Sequence, residues 1–162
     1  MGRFQPFHNG HLLVVSGMAK VCDRVVIAIG SSQAEKSALN PFSLEERREM
    51  VQRTLQGENI IPEHDIFIID VPDTEDNAAW TQSVLAAAGS PITEVWTGDA
   101  ATKECFVASG VAVKDIKEVP GISGTIVRQQ MVKGENWALK VPPAVADYLD
   151  TINGVERVKK IG

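Results

Sequence analysis

The run Gly2-Arg3-Phe4-Gln5-Pro6-Phe7-His8-Asn9-Gly10-His11 leads straight into the apolar Leu12-Leu13-Val14-Val15 and constrains the chain more than any other stretch. Two glycines, a proline, an arginine and two imidazoles in one turn before a helical pattern read as an anion-binding loop. A helix N-terminus offers unpaired N–H groups and the positive end of the helix dipole. Arg3, His8 and His11 add side-chain donors, and His8 and His11, three apart, fall on one face of the starting helix. Gly10 leaves room for a ligand to approach the backbone.

The rest of the chain alternates strand and helix signals. A first helix is expected over residues 11–20, then a strand over Arg24-Val25-Val26-Ile27-Ala28-Ile29, β-branched and apolar on both faces as in a buried parallel strand. It ends at the small polar turn Gly30-Ser31-Ser32-Gln33, at the carboxyl edge where open α/β sheets bind ligands. Residues 34–40 read as a mobile loop. Ser43 with Glu46 forms a capping box for a helix from Leu44 to Gln56. Ile66–Val71 follows as an apolar run, then a helix near 77–88. A short strand over 94–97 ends at Gly98, and Asp99 caps a helix to about Ser109. Residues 111–119 look extended, Pro120-Gly121 marks a turn, and Pro142-Pro143 opens the last helix, about 144–152. With no internal repeat or linker, this order predicts one domain over 1–162: a doubly wound, Rossmann-like parallel sheet with helices on both faces.

A second helix start repeats the chemistry of the first. Ile122-Ser123-Gly124-Thr125 presents two hydroxyls and glycine N–H groups, and Arg128, about one turn on, reaches back toward the same end. Neither start carries an attacking residue, so the pattern suits phosphoryl chemistry, in which positioning and charge stabilisation dominate. Each histidine is readable there as a neutral donor or a cation. Further along, Val71-Pro72-Asp73-Thr74-Glu75-Asp76-Asn77-Ala78-Ala79-Trp80 places a tryptophan one turn beyond an asparagine. That pair suits stacking on a flat ring while an amide reads its edge; a core tryptophan after an acidic helix start is the alternative.

His8-Asn9-Gly10-His11 resembles the His-x-Gly-His signature of the nucleotidyltransferase superfamily, and Gly-Arg-Phe-Gln-Pro-Phe-His is similar to its archaeal-type nicotinamide mononucleotide (NMN) adenylyltransferase branch. Ile122 to Arg128 resembles that family's Ile-Ser-Gly-Thr-x-x-Arg motif, and Asp73, Asn77 and Trp80 match its Asp-x-x-x-Asn-x-x-Trp segment. Asn40 to Arg47, Thr97-Gly98-Asp99 and Ile152 to Val158 resemble further stretches of the same branch. The resemblance implies transfer of AMP from ATP to NMN, giving NAD and pyrophosphate. It assigns catalysis to His8, His11, Arg3 and Arg128. It assigns ATP binding to Gly2, Arg3, Phe4, Gly10, Gly98, Asp99, Ser123, Gly124, Thr125 and Arg128, and NMN binding to Asp73, Asn77 and Trp80. Mg²⁺ would arrive on the ATP phosphates, and the family's common hexamer implies a homo-oligomer. Two other readings stay open: a sister adenylyl- or cytidylyltransferase with an acceptor such as phosphopantetheine, and a non-catalytic nucleotide-binding protein.

Bulk properties narrow the partners. A net charge of −5, with no basic block before Lys159-Lys160, disfavours nucleic acid. No apolar run approaches membrane-spanning length, and no secretory signal is visible, so a cytoplasmic protein with no membrane partner is expected. Cys22 and Cys105 read as small core residues in a reducing compartment, with a disulfide between them the alternative. Doubly wound nucleotide-binding domains place a buried strand before the phosphate loop, yet only Met1 precedes Gly2. A truncated first strand is therefore expected, with apolar residues upstream in the natural protein and neighbouring backbone otherwise short of ladder partners.

Overall fold

The computed structural model describes residues 1–60 and 65–161. Its elements alternate as the sequence predicts: α1 (Asn9–Ala19), β1 (Arg24–Ile29), α2 (Leu44–Gly57), β2 (Asp65–Asp70), α3 (Asn77–Ala87), β3 (Glu94–Thr97), α4 (Ala100–Ala108), β4 (Ala112–Asp115) and α5 (Gly124–Lys133). A 3₁₀ turn (Trp137–Lys140), α6 (Pro143–Thr151) and α7 (Gly154–Ile161) complete the chain.

The caps set these boundaries. In α2 the Ser43 hydroxyl accepts the Glu46 N–H at 3.3 Å while the Glu46 carboxylate accepts the Ser43 N–H at 2.8 Å, closing the expected capping box. Asp76 caps α3 through the Ala79 N–H, Asp99 caps α4 through the Thr102 N–H, and Ser123 caps α5 through the Ile126 N–H.

Pairing is parallel throughout. β1 runs beside β2, Arg24 opposite Asp65 through Ile29 opposite Asp70, and β3 runs beside β4, Glu94 opposite Ala112. These are two separate pairs; on the other edge of β1, Gly2 makes a single parallel bridge to Ile29. β1 buries both faces. Val25, Ile27 and Ile29 join Val15, Met50, Val51, Val127, Met131, Val145 and Leu149 in a large core beneath α1, α2 and α5–α7. Ala28 points the opposite way, to Val71, Val84 and Phe106 beneath α3 and α4. Helices on both faces thus follow from the unbroken apolar run of the strand.

Two expectations need correction. The extended stretch over 111–119 is a strand only from Ala112 to Asp115, because α4 and β3 leave room for four ladder residues; Ile116 adds one further bond to the Thr97 carbonyl at 3.0 Å. The helix opened by Pro142-Pro143 is not the last. Asn153, at φ 52°, takes the left-handed conformation that ends α6, and α7 begins one residue later. Arg157 of α7 then pairs with Glu46 of α2 at 2.6 Å and reaches the Pro41 carbonyl, tying the C-terminal helix to the α2 cap. Cys22 and Cys105 are free, each half-buried, so no disulfide joins them. Among the described residues no helix is long and apolar enough to cross a membrane.

Leu149 is fully buried where α6 meets α2 and α7. Leu149→Ala is expected to cost about 2–5 kcal/mol, because the methyl groups are removed and the cavity collapses only in part. Urea unfolding checks this; a loss under about 1 kcal/mol would show that the C-terminal helices are not part of the cooperative core.

Candidate active site

The N-terminal loop is anchored at both ends of its turn. Gln5, buried, donates from Nε2 to the Phe42 carbonyl at 2.9 Å and accepts the Phe42 N–H on Oε1 at 3.0 Å. Phe4 lies in the left-handed region at φ 52°, an uncommon place for a bulky side chain. Its ring is buried edge-on against His11, centroids 4.8 Å apart, and beside Phe7 at 5.4 Å. These contacts hold the conformation that its own side chain disfavours.

His8 and His11 stack with ring centroids 3.5 Å apart. The His8 N–H donates to His11 Nδ1 at 3.2 Å. His11 therefore accepts on Nδ1 and keeps its proton on Nε2, the outward donor. Burial pushes the His8 pKa down to about 4. Burial also holds His11 well below the usual imidazole value, and the neighbouring His8 adds to the shift. In the ligand-free chain burial thus favours the neutral form of both rings at pH 7. His8 Nδ1 is buried with no hydrogen-bond partner among the described residues, an orphan that points to a ligand. Gly10 lines the cavity and has a further reason for its smallness: a Cβ there would meet the His8 ring at 3.1 Å, so the glycine makes space for the stacked imidazole.

The second helix start docks onto the first loop. Arg128 Nη1 donates to the Gln5 carbonyl at 2.7 Å, and Nη2 reaches Thr125 Oγ1 at 3.4 Å. A Cβ on Gly124 would meet that same Gln5 oxygen at 3.0 Å, so the glycine permits the approach. Ser123 spends its hydroxyl as the cap of α5. Burial lowers the Arg128 pKa, and the charge of Arg3 adds to the shift. Neither arginine has a carboxylate partner among the described residues. Unpaired guanidiniums beside the gap where the α5 start meets the loop that opens α1 attract an anion.

Two residues that the sequence did not single out as site residues organise this gap. Gln5 is one. The other is Arg47 on α2, fully buried. Its Nη1 donates to the Arg3 carbonyl at 2.9 Å and the Gly30 carbonyl at 2.7 Å, its Nη2 to the Ser31 carbonyl at 3.0 Å. One guanidinium thus joins the N-terminal loop to the end of β1. Desolvation lowers its pKa, while Asp70, Glu45 and Asp73 pull it back up. Its signals in the sequence were its place in the second turn of a capped helix and at the end of the Asn40 to Arg47 stretch that resembles the family.

The remaining candidates lie around the same carboxyl edge. Gly2 bridges β1. Gly98 follows β3, where a Cβ would meet the Ile116 carbonyl at 2.8 Å, so its smallness serves the β3–β4 turn. Asp99, held below the usual carboxylate range by the Thr102 backbone and side chain, caps α4. Gly98 and Asp99 share a cavity of about 890 Å³ with His8, His11, Ser123 and Ile122. Asp73 is exposed, its N–H bonded to Gln33 Oε1 at 3.0 Å, which ties the loop after β2 to the loop after β1. Asn77 is exposed at the first turn of α3. Trp80 is half-buried, its ring edge-on to Phe106 at 5.9 Å, which gives part of its surface to the core. Among the described residues no group of three or more His, Cys, Asp or Glu is placed to hold a metal ion.

Residues 1–130 match the model of the cytidylyltransferase-like family. The nicotinamide-nucleotide adenylyltransferase of Methanoculleus marisnigri is 37% identical over 99% of this chain and 94% of its own length. That of Thermococcus kodakarensis is 37% identical over 99% of this chain and 86% of its own length. In three dimensions the chain is similar to a bifunctional NMN adenylyltransferase/ADP ribose pyrophosphatase from Francisella tularensis, with a TM-score of 0.80 at 20% identity. It covers 98% of this chain but about half of that protein, 51%. The same bifunctional protein complexed with AMP and a manganese ion gives a TM-score of 0.74 at 22% identity. Joined helix starts, a doubly wound core and 37% identity to archaeal relatives over nearly the full length lead to one conclusion: this chain belongs to the cytidylyltransferase-like family, grouped with the archaeal nicotinamide-nucleotide adenylyltransferases.

Proposed function

We propose that the chain transfers the AMP moiety of ATP to NMN, forming NAD and releasing pyrophosphate. The observation that carries this reading is the meeting of two helix starts through Arg128 and Gln5 beside two neutral, stacked imidazoles. An NMN phosphate oxygen attacks the α-phosphorus, the bond to the β-phosphate oxygen breaks, and pyrophosphate leaves. His11 Nε2 donates to the α- or β-phosphate as charge develops, and His8 supports it across the stack. Arg3 and Arg128 neutralise the β- and γ-phosphates, aided by Gly124, Thr125 and the α5 N-terminus. Gly2, Phe4 and Gly10 shape the loop around them. Adenosine lies in the cavity beside Gly98 and Asp99.

The acceptor side is read from Asp73, Asn77 and Trp80. Asn77 presents an exposed amide and Trp80 a partly free ring, suited to a carboxamide-bearing pyridine. A divalent cation fits this donor set as a passenger on ATP, because the nearby groups are cationic or imidazole and no carboxylate cluster stands ready among the described residues. Mg²⁺ bound that way offsets charge on the phosphates. A homo-oligomer belongs to the same reading, and the exposed Leu13, Val21, Val107, Val132 and Leu139 offer apolar surface for it.

Pyrophosphate release with ATP and Mg²⁺ should depend on NMN, and His11→Ala should lower kcat by about 10²–10³, the scale for removing one preorganised donor to a developing oxyanion. Faster turnover with phosphopantetheine than with NMN or nicotinic acid mononucleotide would overturn the acceptor. ATP binding without pyrophosphate from any acceptor would mark a binding protein.

The imidazoles also predict a pH dependence of the ligand-free chain. They stay neutral when folded and protonate near about 6.5 when unfolded, so the unfolded state binds more protons as pH falls. Stability is therefore expected to drop from about pH 6.5 downward, through the His8 value of about 4. Saturating MgATP should offset part of that loss, because phosphate charge favours the protonated rings. Thermal unfolding from pH 7.5 to 5, with and without MgATP, reads both effects, and a His8→Asn/His11→Asn chain should show a flatter profile.

A further inference from the structure

Among the described residues, seven polar or charged side chains are buried, and five of them spend their hydrogen bonds within the chain. Gln5 and Arg47 grip backbone around the gap. Thr54 and Thr81 bond back along their own helices, and Thr97 accepts the Asp99 N–H at 3.1 Å. The other two are His8, whose Nδ1 is an orphan, and Ser31. Ser31 is 8% exposed, the one buried serine among the described residues. Its carbonyl accepts from Arg47 Nη2 at 3.0 Å and from the Ala34 N–H at 3.1 Å, while its hydroxyl has no partner among the described residues. A buried hydroxyl without a partner is costly and asks for a ligand.

The backbone at Ser31 is uncommon as well. Four residues other than glycine take positive φ. Asn59 and Asn153 stand just past the ends of α2 and α6, where asparagine adopts the left-handed conformation readily. Phe4 and Ser31, at φ 52° and 49°, lie instead on the two rims that Arg47 joins. Glycine would sit at φ 49° more easily than serine. What serine adds at that position is its hydroxyl.

Ser31 also stands between the two proposed substrate sites. On one side the preceding Gly30 donates to the Gly2 carbonyl at 3.0 Å and shares the Arg47 guanidinium with Arg3. On the other, the Ser32 N–H donates to the Val71 carbonyl at 3.1 Å, and Gln33 accepts the Asp73 N–H at 3.0 Å. In AMP transfer the acceptor group that lies between these sites is its phosphate. One of its oxygens attacks the α-phosphorus while the nucleoside extends toward Asp73, Asn77 and Trp80.

We propose that Ser31 is an acceptor-binding residue: its hydroxyl donates to a non-attacking oxygen of the NMN phosphate and turns the attacking oxygen toward the α-phosphorus. The proposal rests on the NMN reading. Ser31 makes and breaks no covalent bond and keeps its proton.

Ser31→Gly separates this role from a structural one, because glycine relieves the backbone while it deletes the hydroxyl. Ser31→Ala deletes the hydroxyl and keeps the Cβ. Steady-state kinetics with MgATP and NMN, and thermal unfolding, are read for the parent chain and both variants. Each variant should raise KM for NMN at least about 10-fold, the scale of one lost hydrogen bond to a charged group, and leave KM for ATP within about twofold. Ser31→Gly should leave Tm unchanged or raised. Nicotinamide riboside, which carries no phosphate, should inhibit all three chains to the same degree. An unchanged KM for NMN would overturn the assignment, as would a KM for ATP that rises equally, or riboside inhibition that weakens in the variants. A fall in Tm in both variants that tracks the loss of activity would overturn it by marking a structural role. Absence of NMN turnover in the parent chain would overturn the transfer reading first, and this assignment with it.

Discussion

A single buried guanidinium holds the two rims of the proposed phosphate site at a fixed separation. Arg47 has no exposed surface, and its donors go to carbonyls of Arg3, Gly30 and Ser31 and, through Nε, Ser43 at 3.3 Å. Removing such a charge from water costs several kcal/mol. Four hydrogen bonds from a charged donor, at about 1.5–3 kcal/mol each, are on the scale needed to offset it. The arrangement lowers the freedom of three backbone segments at once, and one of them carries the left-handed Phe4. Carbonyl acceptors leave the positive charge in place, offset in part by Asp70, Glu45 and Asp73. Arg47, Arg3 and Arg128 then add their fields around the same gap, which makes an anionic ligand the natural counter-charge.

The second organising contact is the meeting of the two helix starts. Arg128 grips the Gln5 carbonyl, and Gly124 lets the α5 backbone come within reach of it. Gln5 in turn clamps Phe42, just ahead of the α2 cap that Arg157 of α7 supports through Glu46. The C-terminal helices therefore bear on the site through α2 and through α5, against which α7 packs. The core beneath α1, α2 and α5–α7 is the larger of the two clusters, and Ala28, Val71, Val84 and Phe106 form the smaller one beneath α3 and α4.

Much of this was legible from residues. The apolar run Arg24–Ile29 gave β1 residue for residue, and Ser43, Asp99 and Ser123 marked their helix starts, because a cap is a local hydrogen bond between near neighbours in sequence. His8 and His11 were found by spacing. What escaped depends on distant partners. Arg47 looks like any charged residue of a helix until Arg3 and Gly30 close around it. Gln5 is unremarkable without Phe42. Gly10 and Gly98 invite a reading as ligand space, yet their neighbours are the His8 ring and the Ile116 carbonyl. The end of α6 at Asn153 hid α7, since one left-handed residue turns the chain without any break in the apolar pattern.

The account rests on Arg47 as the positioning residue, and Arg47→Lys tests it. Lysine keeps the charge but offers one point of donation where three carbonyls need a fork. With far-UV circular dichroism unchanged, calorimetry should show ATP bound at least about 10-fold more weakly, a loss of roughly 1.4 kcal/mol, with faster amide exchange at Phe4 and Ser31. Unchanged ATP affinity and unchanged exchange at both residues would contradict the claim that this guanidinium sets the geometry of the site.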